Sequence, residues 1–106
     1  MSDISRQQQF STVMARLRAN YIAGLADKSR ALCEALEVAR AGDNEGRANM
    51  TQIVHRLAGT AGSFGLGDVS ARANDLDIQL REGVSLEQLS GSLQSLIQLL
   101  RDYSSQ

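Results

Sequence analysis

"SLEQLSGSLQSLIQLLRDY", residues 85–103, places Leu86, Leu89, Leu93, Leu96, Leu100 and Tyr103 in alternating steps of three and four. This is the spacing of one face of an α-helix, and such a seam is what an antiparallel helical bundle buries. The start of the helix is also written in the sequence. Ser85, three residues before Gln88, makes a capping box, and Gly83 stops the element ahead of it.

Working outward toward the N-terminus, four further apolar stripes keep the helical period. They are Val69, Ala73, Leu76 and Leu80; Met50, Ile53, Val54, Leu57, Ala61 and Phe64; Leu25, Leu32, Leu36 and Ala39; and Phe10, Val13, Met14, Leu17 and Tyr21. Between them stand "GLGD" at 65–68, "AGD" at 41–43 and Gly24. Gly42 is suited to close one helix, while Asp43 and Asp68 are expected to cap the next. Short connections make successive helices antiparallel neighbours. The expected fold is therefore all-α: an antiparallel up-down-up-down four-helix bundle with an additional N-terminal helix packed against one end, and residues 1–106 read as a single domain.

Composition agrees and narrows the function. Hydrophobic residues are 42% and charged residues 22% of the chain, with no proline, no tryptophan, two Phe and two Tyr. That suits a helical core of Leu, Ala, Val and Ile better than a β-sandwich. A net charge of -1 with scattered arginines gives no basis for nucleic-acid binding. Cys33, the one cysteine, excludes an internal disulfide; with one histidine it cannot make a zinc site, and it reads as a small side chain beside the second stripe. No run of about 18 apolar residues exists to span a membrane, and "MSDISRQQQF" lacks the basic and apolar regions of a signal peptide. A monomer in the cytoplasm, with no metal of its own, is the expectation.

The single histidine, His55, lies in "QIVHRLAGTAGSFGLGD", residues 52–68, which also holds four of the nine glycines. At about 100° per residue, His55 points roughly 150° from the centre of its own helix's apolar stripe, so it faces water. On the same side lie Ala48, Thr51, Gly59 and Gly62, where a solvent face ordinarily carries long polar side chains. Each glycine inside a helix costs about 1 kcal/mol relative to alanine, so the bare face is expected to serve close approach by something flat. A neutral imidazole offers an unprotonated nitrogen as base, ligand or nucleophile. A metal site wants more ligands, and a hydrolase base wants a concave pocket, so attack on a phosphoryl group held by a partner fits best.

These residues resemble the histidine-containing phosphotransfer (HPt) domains of bacterial and eukaryotic phosphorelays. That family has a histidine, then an apolar residue two on, a lysine three on, a glycine four on and a glycine ten on; His55, Leu57, Gly59 and Gly65 stand in the matching places. "AGS" at 61–63 is similar to many members, and Leu76 and Asp77 fall where the family has a leucine and an acidic residue. The resemblance implies that His55 is the phosphoacceptor, through Nε2. The phosphoryl group would come from the aspartate of a receiver domain in a hybrid sensor kinase and pass to the receiver aspartate of a response regulator. The receiver would supply Mg²⁺, and the chain would need no cofactor and have no kinase or hydrolase activity of its own. Docking would use Gly59, Gly62 and Gly65.

The chain departs from the family pattern at Ala58, where the lysine belongs. Arg56, Arg72 and Arg81 are candidates on level and reach to neutralise the phosphate, although Arg56 points about 100° away from His55 around the helix. Thr51, Gln52 and Ser63 are further candidate partners for phosphate oxygens. Lys28, the single lysine, is distant along the chain. The same departure leaves open an HPt-like interaction module that binds a receiver or another regulator without carrying phosphate, and, more remotely, a dimeric adaptor or dimerising phosphoacceptor domain.

Overall fold

The computed structural model describes the backbone of residues 2–106 and the side chains of residues 5–106. The helices are α1 (Ser2–Ala23), α2 (Leu25–Arg40), α3 (Asn44–Thr60), α4 (Gly67–Arg81) and α5 (Leu86–Ser104), with a 3₁₀ turn at Ala61–Phe64. No strand occurs among the described residues. α2 packs on α3, α3 on α4, α4 on α5, and α5 closes back on α2, giving the expected four-helix bundle.

The stripes read from the sequence form its centre. Leu32, Met50, Val54, Leu57, Val69, Leu76, Leu89, Leu93, Leu96 and Leu100 are buried. Burial of each such side chain contributes about 1.5–3 kcal/mol. At the seam's ends, Leu86 and Tyr103 are half-buried. Local chemistry sets the helix boundaries. The Asp43 carboxylate accepts the Glu45 N–H at 2.9 Å, and the Ser85 hydroxyl accepts that of Gln88 at 3.3 Å. Gly42 leaves α2 at φ +93°, a conformation costly for any residue with a Cβ.

The structure corrects three expectations. Asp68 does not cap α4: Leu66 holds the N-cap position, and Asp68 lies in the first turn. Its carboxylate accepts the Val69 N–H at 2.9 Å and the Tyr103 O–H at 2.9 Å, tying the start of α4 to the end of α5. That hydrogen bond holds the Tyr103 phenol above its ordinary pKa. The third stripe is not one helix either, because α3 stops at Thr60 and Phe64 belongs to the 3₁₀ turn.

The first stripe is the third correction. Gly24 has helical angles, φ -80° and ψ -9°, and its N–H bonds to Tyr21 O at 3.1 Å, so α1 continues into α2 through a bend. Much of α1 extends beyond the bundle, so that the molecule measures 61 Å along its longest axis and 25 Å along the next. Phe10, Val13 and Leu17 are exposed there, not packed, because no other element lies alongside them among the described residues. Only the end of α1 docks. Tyr21 stacks on Phe64 with ring centroids 4.4 Å apart, its hydroxyl lies 2.9 Å from Thr60 Oγ1, and Arg18 Nε donates to Phe64 O at 3.0 Å.

Two contacts lock α3 between its neighbours. Gly46 is buried where α3 crosses α2; a Cβ there would sit on Ala39 N, 2.6 Å from Ala35 O and 2.8 Å from Ala39 Cα. Arg47, the next residue, turns the other way, and its Nη2 donates to Leu80 O at 3.0 Å and Val84 O at 2.7 Å. It thereby adds a second donor to Leu80 O, which also accepts the Gly83 N–H at 3.3 Å, and ties the end of α4 to the connection that leads into α5. Arg47→Met keeps the aliphatic stem but removes both donors, and urea unfolding is expected to register a loss of about 1–3 kcal/mol. An unchanged midpoint would mean that water replaces the guanidinium without cost.

Candidate functional site

Met50, Val54 and Leu57 anchor α3 in the core, which turns His55 outward on the side nearest α4. Its side chain is 61% exposed. Across the groove, Ala73, Leu76 and Leu80 seat α4, and Asp77 follows Leu76 around the helix toward α3. Asp77 is buried, with 10% of its side chain accessible. Its Oδ2 lies 2.9 Å from His55 Nδ1. One turn later on α4, Arg81 donates from Nε to Asp77 Oδ1 at 2.9 Å, and its Nη2 lies 2.9 Å from His55 Nδ1.

Burial pushes the Asp77 carboxyl up, but the hydrogen bonds and charges of His55 and Arg81 outweigh it and hold the group below the usual carboxylate range. Asp77 is therefore ionised at neutral pH and can only accept hydrogen bonds. With the proton on Nδ1 the ring donates to Asp77 and keeps its lone pair on Nε2, whereas with the proton on Nε2 it accepts from Arg81. In the first of these tautomers the imidazole is oriented and exposed, and its Nε2 is suited to nucleophilic attack or proton abstraction.

The other candidate residues divide around this centre. Arg81 reaches the imidazole. Arg72 faces the other side of α4 and donates from Nη1 to Ser95 Oγ at 3.0 Å. Arg56 is exposed on α3 and makes no hydrogen bond to His55. The Thr51 hydroxyl donates to Arg47 O at 2.9 Å, while Gln52 lines a groove against α2 with Glu34, Val38 and Ile53. Ala58 is half-buried and its carbonyl accepts from Ser70 Oγ at 2.8 Å. Ser63 is exposed on the 3₁₀ turn.

The glycines serve different ends. Gly59 is exposed in the last turn of α3, and a Cβ there would meet nothing within 4 Å. Gly62 lies in the 3₁₀ turn, not inside the helix, where a Cβ would touch Ser70 Oγ at 3.5 Å. Its neighbour is thus the start of α4 as well as solvent. Gly65 ends the turn at φ +81°, a structural requirement for glycine.

Sequence reasoning placed Asp77 only through the family pattern and gave it no contact. The available signal was a carboxylate beside the apolar stripe Ala73, Leu76 and Leu80. Among the described residues no cluster of three or more His, Cys, Asp or Glu is arranged to hold a metal, and no helix is long and apolar enough to cross a membrane. The family model for the Hpt domain matches residues 16–104. No curated protein and no solved structure matches the chain.

Proposed function

Since the chain belongs to the Hpt domain family, whose members serve histidine phosphotransfer in phosphorelays, we propose that it carries a phosphoryl group on Nε2 of His55. The observation that supports this most is the 2.9 Å contact between Asp77 and Nδ1, beside a ring that is 61% exposed. The Nε2 lone pair attacks the phosphorus of a receiver's aspartyl phosphate, an N–P bond forms as the P–O bond breaks, and the carboxylate leaves with the receiver. The Nδ1 proton stays between His55 and Asp77, whose charge balances the imidazolium that forms. Transfer to a response regulator's aspartate is the reverse of this step.

Positioning and charge do most of the work in phosphoryl transfer, and a shared reaction divides them between the partners. The receiver brings Mg²⁺ and the enclosing loops; this chain brings the oriented nitrogen. Gly59 leaves the surface low beside His55, and Ile78, 46% exposed on α4, offers an apolar contact at the rim. The partners are the receiver domains of a hybrid sensor kinase and of a response regulator, met by a monomer in the cytoplasm.

The test is incubation with phosphorylated receiver domains, followed by mapping of acid-labile, alkali-stable phosphate on the chain. Label on His55 is expected. Receivers that bind the protein yet never pass it phosphate would replace this reading with that of an interaction module.

A further inference from the structure

We infer that Arg81, reaching across from α4, is the cation that binds the phosphoryl group, and that it does so by releasing the contact it makes with His55 Nδ1 in the unphosphorylated protein. The inference rests on the carrier reading above and assigns the charge partner within that site.

A phosphoryl group carries nearly two negative charges at neutral pH and draws guanidinium donors strongly. Arg81 is the cationic side chain that hydrogen-bonds the imidazole among the described residues. The other arginines on α3 and α4 are differently placed: Arg47 is held by Leu80 O and Val84 O, Arg72 by Ser95, and Arg56 makes no hydrogen bond to the imidazole. Lys28 lies over the Tyr21 ring, 5.6 Å from its centroid.

The geometry also explains how Arg81 becomes free. Nδ1 has one in-plane position for a hydrogen bond, and it is approached at 2.9 Å both by Asp77 Oδ2 and by Arg81 Nη2. With the proton on Nδ1 the nitrogen donates to Asp77 and cannot accept from Arg81; with the proton on Nε2 it accepts from Arg81 and loses Asp77. The two contacts are alternatives. In the nucleophilic tautomer, Arg81 Nη2 has no acceptor on the ring, while Nε stays on Asp77 Oδ1 at 2.9 Å. Released from Nδ1, the Arg81 side chain, 57% exposed, is free to turn past the ring toward a phosphoryl group on Nε2. No lysine on α3 is needed, which fits Ala58.

The experiment labels the protein with potassium phosphoramidate, which phosphorylates histidine without a receiver, and follows the titration of the phosphoryl group by ³¹P NMR. A neighbouring cation lowers the pKa of the phosphoryl group, so Arg81→Gln is expected to raise it by about one unit relative to wild type. Adding Ala58→Lys to Arg81→Gln is expected to bring it back, since that lysine stands one turn from His55; a change that merely loosened the fold would not be reversed this way. Arg81→Gln titrating as wild type, or a raised value that Ala58→Lys leaves unmoved, would overturn the assignment to Arg81. Labelling by phosphoramidate but never by any phosphorylated receiver would instead remove the carrier reading and leave the charge assignment readable.

Discussion

Replacing Gly46 by alanine is expected to destabilise the protein by about 3 kcal/mol, the upper part of the range for forcing an extra carbon into a packed interior. The added Cβ would land on the α2 backbone at Ala39 and come within 2.6 Å of Ala35 O. Backbone cannot rotate aside as a side chain can, so relief requires α2 and α3 to separate. Separation would loosen Leu32, Leu36, Met50 and Val54 together. Gly59→Ala is the matched control: it lies in the same helix, meets nothing within 4 Å, and removes a poor helix former, so it is expected to leave stability unchanged or raise it by up to about 1 kcal/mol. Urea unfolding of both variants measures the difference. A Gly46→Ala protein as stable as wild type would show that the helices do not cross this closely.

At the site, His55→Gln is expected to abolish phosphate transfer from a phosphorylated receiver, while the fold remains intact because the side chain is 61% exposed and Arg81 still pairs with Asp77. Asp77→Asn is the more informative partner. It preserves volume but loses the charge facing Nδ1, and a charge-assisted hydrogen bond of about 1.5–3 kcal/mol corresponds to a transfer rate reduced about ten- to a hundredfold. The amide also offers its NH₂ to Nδ1, which favours the tautomer with the proton on Nε2 and removes the nucleophile for part of the population. Rapid-quench labelling separates the two variants: none for His55→Gln, slowed for Asp77→Asn. An Asp77→Asn protein that labels at the wild-type rate would mean that the carboxylate orients nothing used in transfer.

Most of the fold was legible because its causes are local. The leucines of α5 announced a buried face by period, Asp43 and Ser85 announced helix starts by their hydrogen-bonding reach, and Gly42 announced a stop by its freedom at positive φ. The errors came where a local signal lacked a tertiary partner or found a stronger one. Phe10, Val13 and Leu17 have the period of a packed helix, yet the bundle does not extend to meet them. Asp68 has the chemistry of a cap, yet Val69 N–H and Tyr103 O–H take its carboxylate.

By itself the sequence determined five apolar stripes, their punctuation, and the outward direction of His55, because the pitch of a helix sets where each side chain points relative to its own axis. Which groups meet across the α3–α4 groove was decided only in three dimensions. Asp77 and Arg81 stand 22 and 26 residues from His55, and Arg72 on the same helix looked equally able to reach. One helical turn separates Asp77 from Arg81 and places both toward α3, whereas Arg72 turns toward α5. That choice depends on the axial register and rotation of α4 against α3, which the whole core sets together: Gly46 at the α2 crossing, Arg47 at the end of α4, and the leucines between them.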